Sequence, residues 1–158
     1  MKKEFEIRAA TNKDIVPIKK VVFDVLKEYG LKGDESGKDK DLDDIEQNYF
    51  GKGGWFAVLI HDKKNIIGTV GLFAFNNDLC ELRKMYLLKP FRGKGLGKRL
   101  LETAIRIAKE KKYKKIVLET IEPLKEATAL YKKYGFTEIP PREINERVDK
   151  AFELNIAE

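Results

Sequence analysis

Cysteine is nearly absent from this chain, and so is the residue that most often joins it at a metal. The 158 residues hold one cysteine, Cys80, and one histidine, His61. A single thiol excludes an internal disulfide, and the lack of Cys/His clusters argues against a zinc site. No metal is expected, and a reducing, cytoplasmic setting fits. Long apolar runs are missing as well, so no segment reads as a membrane helix of ~20 residues. The first residues, MKKEFEIR, turn acidic and strand-like too early for a secretory signal. There is no repeat, linker or break in composition. Residues 1–158 therefore read as one domain, large enough for one substantial core.

Charge is plentiful but mixed. Thirty-two lysines and arginines against 26 acids give a formal charge of +6, which permits an anionic ligand or nucleic acid. The basic residues are interspersed with acids, and no stacking-aromatic motif is visible. A nucleic-acid binder is thus the least favoured class, and it would show salt-sensitive affinity. Most of the lysines serve solubility.

The most informative stretch is RGKGLGKRLL, from Arg92 to Leu101, directly after the strand-like CELRKMYLL. A strand, a glycine loop and a helix start follow one another. A helix start offers unpaired N–H groups and partial positive charge, which suit a phosphate. Glycines let a ligand approach the main chain. Lys94, Lys98 and Arg99 add cationic donors. A Walker A loop fits poorly, since Lys98 precedes Arg99 rather than Ser or Thr, and no glycine sits five before Gly97. A dinucleotide fingerprint also fits poorly: the glycines run GxGxG on a mid-chain strand. The pyrophosphate loop of coenzyme A acyltransferases, [Q/R]xxGx[G/A], is matched by Arg92, Gly95 and Gly97. The bland alternative is a lysine-rich connection without a ligand.

The rest of the chain supplies a frame. Residues 5–10 alternate like a strand. Thr11 or Asn12 caps a helix with Ile15, Ile18, Val22, Val25, Leu26 and Tyr29 at helical spacing, ended by Gly30. A polar loop leads to a short helix with Leu42, Ile45 and Tyr49 on one face. WFAVLIH and NIIGTVGLFAF form a hairpin across residues 62–65, and LCELRKMYLL continues it. The helix after the glycine loop carries Leu96, Leu100, Leu101, Ala104, Ile105 and Ala108 on one face. KKIVLET is a strand that can lie parallel to the third one. Pro123 opens the next helix, and strands follow over residues 136–139 and 150–156. The order β-α-α-β-β-β-α-β-α-β-β describes an α/β (α+β) architecture, with a mixed, mostly antiparallel sheet of about seven strands flanked by helices.

CELRKMYLLKPFRGKGLG followed by ATALYKKYGF resembles the GNAT superfamily of N-acetyltransferases, with Ala127, Leu130, Tyr131, Gly135 and Phe136 in the second motif. The resemblance covers nearly the whole chain, the N-terminal third by pattern only. It implies a single-domain GNAT fold whose two central parallel strands splay apart. It implies acetyl-CoA as cofactor and direct transfer, in a ternary complex, to a primary amine of a small molecule or a peptide. It places main-chain groups of Met85, Tyr86 and Leu87 along the pantetheine. The pyrophosphate falls to the loop of Arg92, Gly93, Lys94, Gly95, Leu96, Gly97 and Lys98. A base is needed because an ammonium has no lone pair and a lysine-like amine has a pKa of about 10.4. Glu81 and Glu119 stand where family members carry such a group. Tyr131 stands near the thioester sulfur, both as cofactor contact and as acid. Leu124 departs from the pattern, because many members carry asparagine there. Homodimers are common in the family.

The acceptor site of the family spans residues 29–54 and 140–148 here. Its acids, Asp34, Glu35, Asp39, Asp41, Asp43, Asp44 and Glu46, suggest attraction of a cationic amine. His61 is expected to be solvent-exposed, Cys80 to be a small core residue, and Trp55 to be core or cleft lip. A non-catalytic CoA-binding regulatory module is the alternative, and it would bind cofactor without turnover.

Overall fold

A computed structural model describes residues 4–157. Thr11 opens the first helical segment with a reciprocal cap: its hydroxyl accepts from Lys13, and Asp14 accepts from the Thr11 amide at 2.9 Å. Helix α1, Ile15–Glu28, then buries Ile18, Val21, Val22, Val25 and Leu26. A 3₁₀ turn, Lys40–Asp43, and a one-turn helix α2, Ile45–Asn48, follow. Leu42, Ile45 and Tyr49 are fully buried, as their shared face predicts.

Seven strands form one sheet in the order β1-β2-β3-β4-β5-β7-β6. They are β1 Phe5–Ala9, β2 Trp55–His61, β3 Asn65–Ala74, β4 Leu79–Leu87, β5 Lys115–Thr120, β6 Thr137–Ile139 and β7 Lys150–Asn155. Only β4 and β5 are parallel. Asp62 and Lys63 both take positive φ, 52° and 65°, in the turn between β2 and β3. That mirror-image geometry suits strand twist even without glycine.

Helix α3, Leu96–Glu110, packs its apolar stripe on one sheet face, against Leu72, Cys80, Leu82, Ile116 and Leu118. Each of its six expected core residues is buried. Helix α4, Lys125–Lys133, lies beside it. The opposite face, with Phe56, Val58 and Ile60, packs on α1 and Tyr49. The sheet is therefore covered on both sides, and the space left open is its split centre.

Two expectations are corrected. Pro123 does not open α4: Leu124 caps it, and its amide bonds to the Ile121 carbonyl at 3.1 Å, so Pro123 lies in the preceding turn. His61 is not a free turn residue: its ring stacks on Phe5 at 5.1 Å and meets Phe91 at 5.0 Å. Strand β1 pairs Phe5 directly with His61, a long-range contact that turn chemistry does not reveal. Trp55 and Cys80 are core residues, and burial pushes the Cys80 thiol up to about 12.

Candidate active site

The split begins at a defined residue. Pairing between β4 and β5 covers Leu79 with Lys115, Cys80 with Ile116 and Glu81 with Val117, and then stops. Both strands continue, to Leu87 and Thr120, without pairing each other. The edge of residues 82–87 that faces β5 is left without a strand partner. A bulge sharpens the departure. Between the pairs Thr69–Tyr86 and Gly71–Arg83, β4 holds one residue more than β3. Lys84 takes φ 55° there, and Thr69 Oγ1 donates to its carbonyl at 2.6 Å. The result is a cleft of about 730 Å³ lined by residues 81–86 of β4, 118–120 of β5, Leu124 at the cap of α4 and Tyr131 within it.

At the far end of β4 lies the glycine loop. Gly93 and Gly95 have φ 80° and 78°, and Gly95 stands at the N-cap of α3 without any side-chain cap. The first hydrogen bond into the helix comes from the Arg99 amide to the Gly95 carbonyl, at 3.2 Å. Among the described residues, the amides of 93–98 have no acceptor. Gly97 is informative for another reason. A Cβ there would meet only Leu130 Cδ2, at 4.0 Å, so packing does not demand glycine. The free space lies beside free amides, which is what a phosphate cradle requires. Lys94, Lys98 and Arg99 are exposed around it. Arg92 is placed differently. Its guanidinium forms a two-pronged pair with Glu28 of α1, at 2.6 and 2.9 Å, and its Nε donates to the Leu87 carbonyl at 3.0 Å. It braces loop, strand end and helix together.

The two candidate bases sit on one sheet face. Phe73 pairs with Glu81 and Glu81 with Val117, and Glu119 is two residues further along β5. Glu81 is 4% exposed. Arg83 Nε donates to its Oε1, while Arg142 Nη2 lies 3.5 Å from its Oε2 and 3.4 Å from Glu119 Oε1. Arg142 thus bridges both carboxylates from the connection between β6 and β7. Tyr131 is buried, with its ring against Phe136 and Phe152 at 5.7 and 6.4 Å, and it lines the cleft. Burial pushes its phenol well above the ordinary value, and neighbouring Tyr86 adds to this.

The acidic loop does not behave as expected. Asp39 is fully buried and accepts from both Arg147 Nη groups at 2.9 Å and from the Asp34 amide at 2.8 Å. Lys84 Nζ lies 3.0 Å from Asp39 and 3.4 Å from Asp41. Burial alone would raise the Asp39 pKa, but Arg147, Lys84 and the amide outweigh it and bring it down to about 2. Tyr49 donates to Asp41. Lys19 pairs with Glu35 and Asp43, Asp44 caps α2, and Glu46 accepts from the Asn12 amide. These acids hold the loop together, and of the seven only Asp41 lines the cleft. The cleft wall itself carries seven lysines and arginines against four carboxylates, so it is cationic.

Sequence reasoning missed Arg83, Lys84, Arg142 and Arg147. Alternation along β4 does place Arg83 on the face of Glu81. Nothing local reveals the others, whose partners are supplied from distant segments.

A doubly covered α/β sheet, split between its parallel strands and ending in a glycine cradle, defines a protein that takes an extended phosphorylated ligand. The sequence pattern of the acetyltransferase (GNAT) family matches residues 21–136, so the chain belongs to that family. The uncharacterized N-acetyltransferase YjgM of Escherichia coli K12 is 38% identical over 138 residues, covering 84% of this chain and 82% of the relative. A GNAT-family acetyltransferase from Staphylococcus aureus Mu50 superposes with a TM-score of 0.88 at 28% identity, over 96% of this chain and 99% of that one. The fold is also that of PaiA N-acetyltransferase from Thermoplasma acidophilum, solved with coenzyme A, at a TM-score of 0.77 and 22% identity over 97% and 99% of the two chains. The fold and enzyme class anticipated from the two motifs stand, including the splay.

Proposed function

We propose that this protein transfers the acetyl group of acetyl-CoA directly to a primary amine within a ternary complex, the amine belonging to a small molecule or a peptide. The observation that carries this reading is the coincidence of the β4/β5 split with the unpaired amides of 93–98 at one end and the Glu81–Glu119 pair beside it. The residues fit the cofactor. The loop amides and the open side of Gly97 would take the pyrophosphate, and the free edge of Met85, Tyr86 and Leu87 would take the pantetheine amides. When bound, acetyl-CoA supplies a thioester whose C–S bond breaks as the N–C bond forms.

The chain's own groups handle the protons. An incoming ammonium loses one proton to become a nucleophile and a second as the amide forms. Glu81 Oε2 and Glu119 Oε1 both face Arg142, whose side chain is 67% exposed and can swing away, and either oxygen can then accept a proton from nitrogen directly or through water. Tyr131, held protonated by burial, can give its proton to the departing sulfur. Leu124 lines the same cleft and offers no polar contact. We read the acidic loop and residues 140–148 as the acceptor walls.

Separate Glu81→Gln and Glu119→Gln variants test the base. Loss of the true base lowers kcat by about 100-fold or more and flattens the pH profile of kcat. If neither change lowers the rate, the base assignment is wrong. Tyr131→Phe is expected to lower kcat about tenfold with acetyl-CoA affinity unchanged; equal turnover removes the acid role.

A further inference from the structure

We propose that the acceptor carries an anion close to its amine, as an amino acid or amino-acid analogue does, and that Arg83 and Arg142 grip that anion. This rests on the amine-acetylation reading above. Arg83, Glu81, Arg142 and Glu119 form an alternating row of cation, anion, cation, anion. Such a row is the charge complement of a molecule bearing both signs a few bonds apart. A plain amine or polyamine would satisfy the carboxylates but would meet the cationic excess of the cleft wall.

The two arginines also have donors to spare. Arg83 uses only Nε on Glu81, and Arg142 uses only Nη2, at long distance, on Glu81 and Glu119. Among the described residues, neither Arg83 Nη group has an acceptor, nor do Nε and Nη1 of Arg142. Both guanidiniums flank the Phe75 ring, at 5.8 and 5.2 Å, and Arg83 lies over the Phe73 ring at 3.8 Å. The Phe73 contact and the Nε bond to Glu81 hold the Arg83 guanidinium in place, which leaves its two Nη groups for a carboxylate. Phe73 and Phe75 leave apolar surface beside the fork for a side chain.

Thermal shift with acetyl-CoA comes first, because it tests the cofactor reading alone. Initial rates of thiol release follow, with L-amino acids each set beside its primary amide and its decarboxylated amine. In at least one set the free acid should exceed both partners in kcat/KM by about 10- to 100-fold. Arg142→Gln should collapse that ratio to within about threefold, mainly through KM, with the acetyl-CoA shift intact. Arg83→Gln should do the same. If burial makes Arg83→Gln unstable, the exposed Arg142 carries the test. The inference is overturned if decarboxylated amines are used as well as the acids in every set, or if the preference survives in Arg142→Gln. It is also overturned if acetyl-CoA binds but no free acid is used, and then the cofactor reading still stands. No shift with acetyl-CoA would remove both.

Discussion

The two halves of the cleft are built by different means. On the side proposed for the cofactor the unpaired groups are backbone: the free edge of β4 after Glu81, and the amides of 93–98. They come from one continuous stretch of chain. On the side proposed for the acceptor the groups are side chains held by ion pairs between distant segments. Arg147 reaches Asp39 across 108 positions, and Lys84 reaches the Lys38 carbonyl across 46. A backbone cradle is specified by where glycines and a helix start fall. A side-chain wall is specified only by the folded arrangement.

The largest effect should come from breaking the acceptor-side network. Asp39→Ala leaves Lys84 and Arg147 facing each other without their shared anion. Truncating one member of a buried ion cluster costs about 3–5 kcal/mol, to be read from chemical denaturation. The same carboxylate sets a pH dependence. Its folded pKa, about 2, lies below the ordinary 3.8, so its stabilisation is present above the ordinary value and is lost as pH falls through 4 toward 2. That window should carry about 2 kcal/mol, and Asp39→Ala should show a shallower acid transition. An unchanged denaturation midpoint would mean that the network only decorates the loop, and the contrast between the halves would fail.

The same contrast explains what could be read from sequence. Helix α3 was legible because its stripe repeats every three or four residues and the glycine loop marks its start. The succession of strands along the chain was legible for the same local reasons, but the insertion of β7 between β5 and β6 was not, and Tyr131 stood out through the motif resemblance rather than through its spacing. The acids of the loop misled, because sequence shows their charge but not the cations folded against them. Lys84 looks like one more surface lysine, yet its side chain is 6% exposed. Arg142 sits in a polar connection with no periodicity to place it above Glu81. His61 needed the pairing of β1, which no turn signal announces.

A change at Gly97 sharpens the comparison from the other side. Its φ lies outside the left-handed region and its side is open, so Gly97→Ala should hold or slightly raise stability, by up to about 1 kcal/mol. Acetyl-CoA affinity should nevertheless fall about tenfold, or 1.4 kcal/mol, as measured by calorimetry. A protein that loses cofactor without losing stability has a cradle kept open for the ligand. Unchanged affinity would show that the pyrophosphate lies elsewhere.

The smallest effect expected is also the one that decides the role of Arg92. Glu28 and the Leu87 carbonyl now hold all three arms of its guanidinium. If Arg92 is a brace, Glu28→Gln loosens the loop and weakens acetyl-CoA binding by about two- to fivefold, because a part-exposed pair contributes at most about 1 kcal/mol. If Arg92 is instead a ligand that Glu28 competes for, the same change frees it, and affinity rises with a steeper dependence on salt. The sign of the change separates the two roles even though its size is small. We expect weakening, because the contact with Leu87 ties Arg92 to the end of the very strand whose free edge the cofactor would follow.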